Sequence, residues 1–467
     1  MRRKRRGIVT SEERQMERPA DEMTAVSQGR RWLLFALALH FGLGAVYIFR
    51  FPLWKAPDET GHFLYIEHLG TTGTLPVLSS GETSNYEAHQ PPLYYAAAVP
   101  FWAMAHRSHE VGLTGQPYLE HHALSAYAIR IFSLLIGSVT IFIIFSIARA
   151  FTTTNSVVPS LAALVAATLP MHLFISSAVG NDVLTGVLTA IGLWLLIRTA
   201  GTSLVWHRAL LIGVVIGFAV LAKMTCLYLL VLALPVIVVR TIVDRDSRGG
   251  VNSVLALAAG FLVVSGWWFV RNASLYGDPL AYNIFLDLFA GRPHPGDIIP
   301  VVGWGSYLTR WVGLTTFETI FGLFGEVNTA FQKTNQLVTG REPTAGLFGV
   351  GALIGAVMVA VMAMGGANAL RSFTECASPH RPDAARHAIL VIAAVLVVLS
   401  FVQFNTHFYQ AQARYLYPAY PAWCVFFALG VVRITPLRWH SKALVATVVA
   451  MLLLNATILS AWMEVLI

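Results

Sequence analysis

Two adjacent carboxylates, Asp58 and Glu59 in APDETGHF (56–63), follow the first long apolar stretch of the chain, with His62 one helical turn on. Ionisable residues at the mouth of a membrane helix add nothing to crossing a bilayer, so acid–base or ligand chemistry is their expected use. A helix starting at Pro57 would place Asp58 and His62 four residues apart and Glu59 and His62 three apart, letting the imidazole touch either acid. The alternative is helix capping, because acids favour a first turn in any case. Other polar residues stand out from the apolar background: Glu87, His89 and Gln90 in YEAHQPPLYYAAAVPFW (86–102), and Asp182 in ISSAVGNDVLTG (175–186). Three cations join them: Lys223, Arg271 in WWFVRNASLYGDP (267–279), and Arg414 beside Tyr415 in QARYLYPAYP (412–421). A carboxylate can orient or deprotonate a hydroxyl, and the planar donor fork of arginine suits phosphate oxygens. Asp58, Glu59 and Asp182, with His62, Glu87 and His89 beside them, also offer oxygen and nitrogen ligands to a divalent cation, and metal dependence stays open.

The elements that must position these residues are membrane helices. The chain has 467 residues, 56% hydrophobic and only 12% charged, with a mean hydropathy of +0.63, which excludes a soluble globular protein. Apolar stretches near 31–53, 130–148, 158–178, 183–199, 208–222, 225–241, 252–271, 345–368, 388–404, 415–433 and 443–464 predict an all-α polytopic protein of about eleven spans. The shorter run at 91–106 opens with Pro91-Pro92 and suits a juxtamembrane helix. With residues 1–30 as a basic, disordered cytoplasmic tail, the loops carrying Arg149, Arg198, Arg208, Arg240, Arg245, Arg371, Arg386, Arg433 and Lys442 all fall inside, as the positive-inside rule requires. Counting 91–106 as a span would invert every later loop.

The candidate residues then lie together at the outer face. Two long outer segments, 54–129 and 272–344, are expected to bear the catalytic acids and to cover the substrate, respectively. The net charge of +8 is an orientation signal, so nucleic acid is not an expected partner. The three cysteines, Cys226, Cys376 and Cys424, lack metal-like spacing. Outer carboxylates that activate a hydroxyl, beside cations that hold a departing lipid phosphate, predict glycosyl transfer from a lipid carrier. The rival reading, a transporter or flippase of lipid-linked or small polar substrates, requires ionisable residues near mid-membrane on several helices, and most spans lack them.

APDETGH, YEAHQPPLYY, AVGND, RNASLYGDP and QARYLYPAYP, in this order from about residue 31 onward, resemble the GT-C superfamily of integral-membrane glycosyltransferases. The resemblance is to bacterial members related to protein O-mannosyltransferases and lipid A aminoarabinose transferases. It implies a GT-C domain over 31–467 in the plasma membrane, juxtamembrane helices in the first outer loop, a polyprenyl-phosphate sugar donor, a glycan, lipid or protein acceptor, and inversion at the anomeric carbon. Asp58 matches the first-loop base, with Glu59 as its neighbour. Asp182 matches an acid that binds metal in the oligosaccharyltransferase branch and orients substrate in others. Arg414 matches the basic residue that meets the carrier phosphate, and Lys223 a further cation. The chain departs from oligosaccharyltransferases in lacking a WWDYG-type signature, and it has Gln90 where some aminoarabinose transferases have lysine.

Overall fold

The computed structural model describes residues 11–78, 86–106, 116–152, 157–288, 290–291, 294–321, 345–375 and 382–466, and every regular element among them is helical. The first half contains α1 (Ser11–Arg50), α2 (Glu59–Thr72), α3 (Leu93–Ala105), α4 (Gln116–His121), α5 (Ala123–Ala148), α6 (Val157–Thr168), α7 (Pro170–Ser176) and α8 (Asp182–Ala200). Then come α9 (Trp206–Ala222), α10 (Tyr228–Asp244), α11 (Ser247–Tyr276), α12 (Tyr282–Leu288), α13 (Pro295–Ser306), α14 (Thr315–Phe321), α15 (Ala345–Glu375), α16 (Pro382–Asn405), α17 (Tyr420–Ile434) and α18 (His440–Leu466).

Nine helices among the described residues are long and apolar enough to cross a membrane. The expected span at 158–178 is a pair, α6 and α7, bent by 57° at Pro170. Proline there occupies the first turn of α7, where it is tolerated, and it removes the hydrogen bond that would have continued α6. The expected span at 208–222 is α9, apolar but only 17 residues long. The helix of the first span, α1, begins at Ser11, within residues 1–30. Residues 1–10, and residues 322–344 of the second outer segment, lie outside the described part.

The centre of the bundle is α6, whose residues from Val158 to Thr168 are all buried, packed by α1, α5, α17 and α18. Backbones approach most closely where side chains are smallest. A Cβ on Gly213 of α9 would sit 2.1 Å from the Leu257 carbonyl oxygen of α11, and one on Gly260 would sit 2.4 Å from that of Leu210. Small residues at such crossings drive helix association in lipid, where apolar burial supplies no preference. The first and last spans close on each other through Asn455, which accepts from the Tyr47 hydroxyl at 2.7 Å and donates to the Thr168 carbonyl at 2.9 Å.

The short helices α2 and α3 stand between α1 and α5, where short helices were expected.

Candidate active site

The site begins in the turn at 51–58 that returns the chain from α1 to α2. Trp54 and Asp58 take left-handed backbone angles in it, φ 69° and 62°, a conformation that costs a residue with a Cβ about 1–2 kcal/mol. Arg130 of α5 holds the turn in place. One of its terminal nitrogens donates to the carbonyls of Ile48 and Phe51, the other to Pro52 and to Glu59 Oε2 at 2.7 Å, and Nε donates to Glu59 Oε1 at 2.8 Å. Glu59 accepts further bonds from the backbone N–H groups of Trp54 and Val179, at 2.8 and 3.1 Å. Four donors saturate a carboxylate, and both partners are fully buried. Glu59, expected as a second catalytic acid and metal candidate, is thus tied up in a buried ion pair that joins α1, α2, α5 and the approach to α8.

Because α2 begins at Glu59 rather than Pro57, and Asp58 is left-handed, the Asp58 side chain leaves the helix axis and caps nothing. It meets Arg414, whose Nη2 donates to Asp58 Oδ2 at 2.6 Å. The same guanidinium lies 3.9 Å from Asp182, and Lys223 donates to Asp182 at 2.5 Å. The four groups form an alternating row, acid, base, acid, base, drawn from the starts of α2 and α8, the end of α9 and the 3₁₀ turn at Ala413–Ala419. The Tyr415 ring lies under both cations, 5.3 Å from the Arg414 guanidinium carbon and 5.5 Å from Lys223 Nζ. Burial works to raise the Asp58 carboxyl, but the Arg414 charge, helped by Lys223, outweighs it and holds the group at about 2.

His62 pairs with neither of the acids its spacing suggested. Its Nδ1 hydrogen-bonds the Tyr95 hydroxyl at 2.9 Å and lies 3.9 Å from Glu87 Oε2. Burial lowers the imidazole below its usual range despite the nearby carboxylates, and burial pushes the Glu87 carboxyl up to about 7 against the pull of His62, Arg414 and Lys223. Asp58, His62 and Glu87 each offer one ligand atom within 4.8 Å of the others. This group, rather than the expected Asp58, Glu59 and Asp182, is the one here with a donor set for a divalent cation, because Arg130 holds Glu59 while Lys223 and Arg414 already balance Asp182.

Asp58, His62, Glu87, Lys223, Arg414 and Tyr415 line a cavity of about 890 Å³. They share it with aromatic and aliphatic side chains, Tyr282 and Phe285 from α12, Val397, Phe401 and Phe404 from α16, and Phe408. Gln90 and His89 lie on the wall: the Gln90 side-chain oxygen accepts from Asn181 at 3.1 Å, and His89 Nδ1 is 2.8 Å from the Tyr86 carbonyl oxygen. Arg271 is not brought to the cavity. It donates to the Pro76 carbonyl at 2.7 Å and stacks 4.9 Å over Trp268, which fixes the C-terminal end of α11 instead. Arg130, Tyr95 and Tyr86 were not singled out from the sequence. Arg130 had a signal, as the one charged residue inside the 26-residue apolar helix α5.

The sequence profile of the family described as dolichyl-phosphate-mannose-protein mannosyltransferase matches residues 122–269, from α5 to near the end of α11. No curated protein matches the chain. Among solved structures, the Archaeoglobus fulgidus oligosaccharyltransferase in its apo form superimposes with a TM-score of 0.54 at 12% identity, covering 92% of this chain and 56% of that one. The same protein with Zn and sulfate gives 0.52 at 14% identity, covering 91% and 52%. With an inhibitory peptide and a dolichol-phosphate it gives 0.50 at 10%, covering 92% and 56%. ArnT from Cupriavidus metallidurans bound to undecaprenyl phosphate has a TM-score of 0.48 at 15% identity, covering 92% and 74%. The chain spans about half the length of the oligosaccharyltransferase it matches. At such identities the likeness is one of fold, and the expected GT-C fold of a multi-pass membrane protein is the fold observed.

Proposed function

We propose that this chain is a membrane glycosyltransferase that moves a sugar from a polyprenyl-phosphate carrier to an acceptor hydroxyl, with inversion at the anomeric carbon. The observation that carries this reading is the cavity in which Asp58, Arg414 and Lys223 share the lining with aromatic and aliphatic side chains, while Asp182 pairs with both cations. The charged groups suit a phosphate and sugar, and Phe285, Phe401 and Phe404 suit the first isoprene units. The dolichol-phosphate held by the oligosaccharyltransferase of the same fold supports a lipid carrier.

Asp58 is the general base. Held at about 2, it is ionised at any working pH, and it takes the acceptor proton as the attacking oxygen becomes positive in the transition state. The new bond forms between that oxygen and the anomeric carbon. The bond to the phosphate oxygen breaks with its electron pair staying on the phosphate. Arg414 and Lys223 stabilise the charge that grows there; Asp182 takes one of the three ammonium donors of Lys223, leaving the others for the departing group. His62, Glu87, His89, Gln90 and Tyr415 line the sugar site, and Glu59 positions Asp58 without touching substrate. A divalent cation held by Asp58, His62 and Glu87 would add positive charge beside the phosphate. The segment at 272–321 contributes Phe285 to the lining that would take the lipid.

The site faces outward, across the plasma membrane from a cytoplasmic N-terminus. The far ends of the same helices support this: α5 and α8 end, and α16 begins, at Arg149, Arg198 and Arg386, which line a second cavity of about 420 Å³. Basic residues mark the cytoplasmic side. Asp58→Asn, assayed in membranes with labelled polyprenyl-phosphate sugars, is expected to lower transfer on the order of 10²-fold or more. Transfer near the wild-type rate, in a variant that elutes and melts like the parent, would overturn the assignment.

A further inference from the structure

Away from the cavity row, Glu67, His106 and His122 converge in the first outer segment. Glu67 lies late in α2, His106 closes α3 and His122 immediately precedes α5, so three separate elements meet at one point. One ligand atom from each lies within 4.8 Å of the others. Glu67 Oε1 is 3.4 Å from His122 Nε2, and the rings of His106 and His122 are parallel to within 10° at 5.8 Å. Glu67 and His122 are buried, 8% and 1% exposed.

A hydrogen-bonded network would be the simplest use of such groups, but this one is incomplete. Tyr118 donates its hydroxyl to Glu67 Oε2, while among the described residues Glu67 Oε1 and His106 Nδ1 are buried without a hydrogen-bond partner. An unsatisfied carboxylate oxygen in a buried place is costly, and a cation is its natural complement.

We propose that Glu67, His106 and His122 bind one divalent transition-metal ion of the zinc class. Two imidazoles and one carboxylate match first-row transition metals better than magnesium or calcium, which prefer all-oxygen shells. Three protein ligands leave one position for water, and Tyr118 orients the carboxylate from behind. The ion ties together the helices that carry His62 (α2), Tyr95 (α3) and Arg130 (α5), so its role is to fix the first outer segment rather than to touch substrate.

The test uses the full-length chain, purified in detergent on a tag without histidines, stripped with chelator and titrated with Zn²⁺ and Co²⁺. About one ion per chain should survive gel filtration, with Co²⁺ giving the visible absorption of a low-coordinate nitrogen–oxygen site. Glu67→Gln keeps the shape and the bond to Tyr118, and it should weaken binding at least tenfold, as should His106→Ala. The rise in melting temperature on adding Zn²⁺ should vanish in both while each still elutes as a single species. His62→Ala, in the other candidate group, should keep the ion. Failure of the parent to retain an ion would overturn the proposal. So would retention in Glu67→Gln and His106→Ala together with loss in His62→Ala.

Discussion

At the scale of single residues, the site depends on which charges offset which. Arg414 bridges Asp58 and Asp182, so Arg414→Lys should raise the KM for the lipid donor more than it lowers kcat, since a point charge replaces a planar fork. Steady-state kinetics with varied donor would show it, and an unchanged KM would remove the residue from phosphate binding. Glu87 sets a pH dependence. With its carboxyl at about 7, it is neutral in mild acid and gains a negative charge as pH rises through that value, beside Asp58 and Asp182 and against Arg414 and Lys223. Donor affinity should therefore fall above pH 7, and Glu87→Gln should flatten the profile. Folding follows the same sign: the native state binds the extra proton between the ordinary glutamate value of 4.5 and about 7, so this group's contribution to stability declines as pH rises across that window. Asp58, Asp182, Lys223 and Arg414 were legible in the sequence because charge is conspicuous in an apolar chain. The role of Glu59 was not, because its partner Arg130 is 71 positions away and a left-handed Asp58 breaks the helical spacing of Asp58, Glu59 and His62.

Among the elements, helix spacing decides where the cations stand. Lys223 follows α9, and α9 lies against α11 through Gly213 and Gly260 with no room for a side chain. Gly213→Val should force the two helices apart and destabilise the protein by roughly 1–3 kcal/mol, read as a lower melting temperature. Donor affinity should fall with it, because Lys223 moves with its helix. Spans were readable from hydropathy alone, and the juxtamembrane helices α2 and α3 from length and charge. The 57° bend between α6 and α7 was not, since proline at a first helical turn and proline inside a span look alike until the next turn is placed.

For the molecule as a whole, sidedness is the property that matters most. Thr60→Cys lines the cavity and should react with an impermeant thiol reagent from outside intact cells, whereas Ser247→Cys, at the start of α11 on the basic side, should react only after permeabilisation. Labelling in the opposite order would reverse the topology. The same global view gives Arg130 an importance its position hides. It is fully buried and binds no substrate in the proposed mechanism, yet four parts of the chain reach the acid turn through its guanidinium and Glu59. Removing one partner of such a buried pair costs about 3–5 kcal/mol, so Arg130→Ala should melt lower and transfer no sugar, as a direct unfolding measurement alongside the assay would show. A random screen for inactive variants would thus return two kinds of lesion with one phenotype: those at Asp58, still folded and silent, and those at Arg130, lost at the level of protein abundance.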